Sequence, residues 1–101
     1  MSDKQYVQFV FEKSAPMHEV EQTLRLACLA TESLHGPDRM RLQASFLINR
    51  SKRNCLIHSA SEVGMTLALI FSGFVKREFG EDGVKIKTPS ACTLEIRGAP
   101  K

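Results

Sequence analysis

No run of apolar residues in this chain is long enough to cross a bilayer. The longest, around Val63 to Val75, is broken by Thr66, Ser72 and Gly73. The opening residues MSDKQYVQF contain no apolar targeting core. Cysteine is sparse, with Cys28, Cys55 and Cys92 odd in number and far apart, which argues against a disulfide framework and predicts reduced thiols in a cytoplasmic protein. Charge of one sign is lacking too. A net charge of +3, with acids and bases interspersed, keeps a small domain dissolved without selecting a partner. Repeats and low-complexity segments are absent, and the six glycines form no phosphate-cradling loop. What remains is 101 residues of ordinary composition, enough for a single domain spanning 1–101 with one core.

The segment from Ser59 to Gly80, SASEVGMTLALIFSGFVKREFG, is the clearest unit present. Ser59 and Glu62 have the spacing of a capping box, and Gly80 suits the left-handed conformation that ends a helix. Val63, Leu67, Ile70 and Phe74 form one stripe. Met65, Ala68, Leu69, Phe71 and Val75 make the other sides apolar as well, so this helix needs cover on more than one side. Gly64, Ala68 and Ser72 lie four apart on one line and would let a second backbone approach, from this chain or from another.

Around that helix the hydrophobic period alternates between two and 3.6. Gln5 to Glu12 reads as a half-buried strand, with Val7, Phe9 and Phe11 facing inward. Ser14 and Pro16 open a helix carrying Val20, Leu24, Ala27, Cys28 and Leu34, which Gly36-Pro37 stops. Period two returns from Arg41 to His58, with Leu42, Ala44, Phe46 and Ile48 on one side and Arg50-Ser51-Lys52-Arg53 as the loop of a hairpin. After the capped helix, Asp82-Gly83 forms a turn and Val84 to Thr88 a strand. Thr93 to Arg97 is either a fifth strand or part of a tail over 89–101.

The order strand, helix, strand, strand, helix, strand resembles the ferredoxin-like βαββαβ sandwich. That resemblance implies an α+β fold, with two helices on one face of a four-stranded antiparallel sheet. The likeness is one of element order and brings no function with it.

Candidate chemistry is thin. Arg50, Lys52 and Arg53 at the hairpin tip, with Arg39 and Arg41 nearby, offer the charge density that a phosphate backbone or acidic partner would meet. An open ferredoxin-like sheet face binds single-stranded RNA when its central strands carry stacking rings, but here the first strand offers only Tyr6 and the third Leu56 and His58. Tyr6, Val10, Leu47, Leu56 and His58 instead make a mixed apolar surface of the kind that packs on protein. His18, His35 and His58 fall in three different elements without metal-ligand spacing, so no metal and no cofactor are expected. Cys55 alternates onto the core side, which makes it a structural thiol despite its basic neighbours. No nucleophile, base and orienting group stand in a catalytic order.

The reading these features favour is a non-catalytic module that associates with itself or with a larger protein. Its contact surface would be Tyr6, Val10, Leu47, Leu56 and His58, or the small-residue line at Gly64 and Ala68. Two alternatives stand beside it. One is a nucleic-acid-binding domain using the basic loop. The other is a small enzyme or ligand-binding domain whose site forms only across a dimer, with His58 and Tyr6 as first suspects.

Overall fold

A computed structural model describes residues 5–88, in which seven principal elements follow one another. They are β1 (Tyr6–Phe11), α1 (Met17–His35), α2 (Pro37–Gln43), β2 (Phe46–Asn49), β3 (Asn54–His58), α3 (Glu62–Phe79) and β4 (Val84–Lys87), with a 3-10 turn at Glu81–Gly83. The strands form one sheet in the order β2-β3-β1-β4, and every neighbouring pair is antiparallel. This is an α+β fold with a four-stranded antiparallel sheet and three helices.

Alternation in the two central strands decides which face is covered. Val7, Phe9 and Phe11 of β1 and Cys55 and Ile57 of β3 are buried, and they share one cluster with Val20, Leu24 and Ala27 of α1 and Leu67, Phe71 and Val75 of α3. Each buried ring contributes about 1.5–3 kcal/mol of hydrophobic stabilisation. Phe71 sits edge-on to Phe9 and Phe11, with ring centroids 4.8 and 6.3 Å away, and Phe11 meets Phe79 in the same way at 6.1 Å. The buried line of α3 is therefore Val63, Leu67, Phe71 and Val75. Ile70 and Phe74, expected on the inward stripe, are half-buried to one side of it.

Several local expectations are corrected. Ser61, not Ser59, caps α3 and accepts a hydrogen bond from the Gly64 N–H at 2.9 Å, because the chain is still extended at Ser61. Ser59 is buried and its hydroxyl donates to the Gln5 carbonyl instead. Pro16, rather than Ser14, stands at the start of α1, where no side chain caps the helix. Gly36 and Gly80 both end helices at positive φ, 92° and 80°, and each donates its N–H back to the carbonyl four residues earlier.

The largest difference is α2. Leu42 and Ala44 do not begin a strand; Pro37 occupies the first turn of a short helix, where its missing N–H is harmless, and β2 starts only at Phe46. No residue of α2 is fully buried and Leu42 is 83% exposed; the helix is held by Met40, which packs against the core, and by the Arg39–Glu62 pair. Another tie is the Ser61 hydroxyl, which donates to the Gln43 carbonyl at 3.1 Å. The Thr93–Arg97 strand lies outside the described residues.

Candidate functional site

Two surfaces are left uncovered by this packing. The first is the sheet face opposite the helices, where the register aligns Leu47, Leu56, Gln8 and Lys87 in one row and Asn49, Asn54, Val10 and Lys85 in the next. Tyr6 and His58 are paired at the end of the same face, with ring centroids 5.1 Å apart and planes tilted by 54°. The structure thus brings Tyr6, Val10, Leu47, Leu56 and His58 together on one side of the sheet.

Gly64 and Ala68 are elsewhere. Both are buried, and a Cβ at Gly64 would collide with the His58 carbonyl oxygen. The small residue is needed because the first turn of α3 crosses the end of β3 in contact with its backbone. Ala68 belongs to the core cluster. Gly64 and Ala68 thus pack inside this chain, which is one of the two approaches that the small-residue line left open.

The second surface is a groove between α1 and the edge strand β2, with a volume of about 470 Å³. Leu24, Cys28 and Leu29 form its helical wall and Phe46 and Ile48 its strand wall, while Glu21, Arg25 and Glu32 stand on the rim. Phe46, which the alternation sets on the same side as Ile48, is 44% exposed. Its side chain is on the covered face, level with buried Ile57, but among the described residues β2 is the last strand and nothing packs over its outer half. Ile48 is half-buried for the same reason. Sequence periodicity places both residues on the correct face; strand order, which periodicity does not carry, leaves them at an edge.

The basic residues are largely engaged. Arg50 makes a bidentate contact to Glu21, at 2.5 and 3.1 Å, which holds the Glu21 carboxyl below its usual pKa and raises that of Arg50. Arg39 pairs with Glu62 at 3.1 Å and Arg41 with Asp38 at 3.8 Å. Arg53 adopts φ 55° and directs its guanidinium at the carbonyls of Phe11, Glu12 and Ala15, closing the link between β1 and α1. Of the five cations picked out in the sequence, Lys52 is the one whose side chain has no such partner among the described residues.

Neither described thiol is poised for reaction. Burial pushes Cys55 up to about 12, with Cys28 adding to it, and burial followed by the nearby Glu32 raises Cys28. Both are free thiols. His35 hydrogen-bonds the Thr66 hydroxyl at 2.9 Å, tying the end of α1 to α3. That hydroxyl already donates to the Glu62 carbonyl, which makes the His35 Nε2 the donor. Among the described residues no group of three or more His, Cys, Asp and Glu is arranged to hold a metal ion, and no helix is long and apolar enough to cross a membrane.

Comparison of the chain with protein-family models, with curated proteins and with solved structures finds no match.

Proposed function

We propose that this protein is a non-catalytic interaction module, a small ferredoxin-like sandwich that associates with itself or with a larger protein in the cytoplasm. The observation that carries this reading is the amount of large apolar surface left over once the core has closed. Phe46, Leu47, Leu29 and Leu42 are all more than 40% exposed, and three of the four belong to β2 or to the helix beside it. Large apolar side chains left exposed around one strand, on both of its faces, are what a docking strand presents. The strand order and the all-antiparallel pairing support the ferredoxin-like assignment.

Of its five cations the nucleic-acid reading keeps Lys52 without a side-chain partner among the described residues, since Arg39, Arg41, Arg50 and Arg53 have carboxylate or carbonyl partners. Each guanidinium would have to exchange a satisfied contact for a phosphate. The dimer-site enzyme reading has Tyr6 and His58 side by side, their ring centroids 5.1 Å apart.

Light scattering of the purified full chain across a wide concentration range, run beside binding of an apolar dye, tests the proposal. Assembly, or a monomer that binds the dye strongly, supports it. A concentration-independent monomer with no dye binding overturns it.

A further inference from the structure

We propose that the groove beside β2 is filled by the same groove of a second copy, the two β2 strands pairing antiparallel across a twofold axis at Leu47. The inference rests on the interaction-module reading and supplies its partner and surface.

The backbone makes the pairing available. The Ser45 carbonyl accepts from the His58 N–H at 2.8 Å, and antiparallel ladders alternate, so Ser45, Leu47 and Asn49 turn their backbone groups toward β3. Phe46 and Ile48 therefore point their N–H and C=O groups out along an edge that no other described strand pairs with. The strand is Phe-Leu-Ile-Asn, with no charge, proline or bulge to discourage a second strand. Centred on Leu47, the pairing sets Phe46 of each chain opposite Ile48 of the other. It joins their backbone groups and packs the two side chains together over the helix-bearing face. Leu47, which is 62% exposed, meets its own counterpart on the opposite face.

Charge on the rim fits the same axis. Arg50 follows β2 and holds Glu21, so α1 runs opposite to β2. From Arg50 back to Leu47 is roughly 10 Å of strand, equal to about seven residues of helix, which brings Cys28 and Leu29 level with Leu47. Arg25 and Glu32 stand about equally far to either side of that level. Neither has an ion-pair partner among the described residues, and Arg25 is left over because its neighbour Glu21 is already held by Arg50. A twofold axis there places Arg25 opposite Glu32 of the second copy, and Glu32 opposite its Arg25, with the exposed Leu29 side chains between.

The test is sedimentation equilibrium of four samples of the full chain: the unaltered protein, Arg25→Glu, Glu32→Arg, and an equimolar mixture of the two variants. Both positions are on the surface, and circular dichroism confirms that each variant folds. The expected result is a reversible dimer whose dissociation constant rises with salt and is at least about tenfold higher for either variant alone. The mixture should recover tight association, because a pair made of one chain of each variant has opposite charges at both contacts. Ile48→Pro, which removes an outward N–H and no ladder bond, should abolish the dimer. If the chain assembles but neither the variants nor the mixture shift the constant, this surface is wrong while the interaction-module reading stands. If the unaltered chain is monomeric, the second copy is excluded, and the dye measurement then decides whether that reading survives with another partner.

Discussion

The two edges of the sheet are built to opposite specifications. At one end β4 reads Val-Lys-Ile-Lys, with both lysines exposed and both apolar residues turned toward the helices. At the other end β2 reads Phe-Leu-Ile-Asn, with none of its residues buried and no charge along the strand. Edge strands offer unpaired backbone to other chains, and lysine is a common means of discouraging the contact. One edge of this protein is thus guarded and the other open. The packing beneath them follows the same division, since the interlocked Phe9, Phe11, Phe71 and Phe79 rings lie toward α3 and β4, while the groove lies between α1 and β2. The ring packing and the apolar groove therefore lie at opposite ends of the sheet, although Leu26, Leu34 and Leu69 are exposed on the helices as well.

The sharpest way to break this contrast is to remove one phenylalanine from each side. Phe71→Ala deletes a fully buried ring and should destabilise the fold by about 3–5 kcal/mol. Phe46→Ala at the open edge should cost roughly 1 kcal/mol or less in the monomer. Urea unfolding of the two variants at a concentration that holds the chain monomeric measures both, and equal losses would show the two sides to be packed alike.

A smaller effect separates two glycines of α3. Gly64→Ala drives a methyl group into the His58 carbonyl and should cost on the order of 1–3 kcal/mol. Gly73→Ala, on an exposed turn with nothing within 4 Å, should stabilise by about 0.5–1 kcal/mol. Thermal unfolding should move in opposite directions for the two.

Titration sharpens the picture further. Cys55 is held protonated in the folded chain, so the unfolded thiol ionises first as pH rises. Stability should therefore fall as pH climbs through the ordinary thiol range, near 9, toward about 12. Denaturant midpoints for the parent chain and for Cys55→Ala should then diverge in slope above pH 9. The smallest expected change is at the groove rim. The lowered Glu21 pKa means that its link to Arg50 is fully present above the unfolded carboxylate pKa and is lost as pH falls through the folded one. Glu21→Gln should flatten the acid limb of the stability profile slightly, the pair being solvent-exposed.

Much of this organisation was legible in the sequence because burial stamps a period on it. The alternation of Val7, Phe9 and Phe11 survives intact in the core, as does the repeat through Val20, Leu24 and Ala27. The α2 helix left no such mark. None of its residues is buried, and the spacing of Leu42, Ala44, Phe46 and Ile48 imitated a strand across a helix-to-strand boundary. Pro37 carried the missing signal, since a proline that ends one helix also fits the first turn of the next. The inward line of α3 held at Val63 and Leu67 and turned aside beyond them, because that helix is apolar on several sides and its contact with Phe9 and Phe11 selects Phe71 over Ile70. The groove was harder still. Leu24, Cys28, Phe46 and Ile48 were all readable as inward-facing, but the space between them exists because β2 comes last in the sheet, a fact of pairing order.

Arg53 has a consequence of another kind. Antiparallel strands can slip by two residues and still keep their apolar side chains on the correct face, so hydrophobic patterning alone does not detect the error. In the native pairing of β1 with β3, the guanidinium of Arg53 reaches three carbonyls gathered where β1 turns toward α1. A two-residue slip would carry it roughly 7 Å away from them and break all three contacts. One side chain at the hairpin turn thereby makes the alignment of the central strands self-checking, rejecting the misfold that the core residues would tolerate.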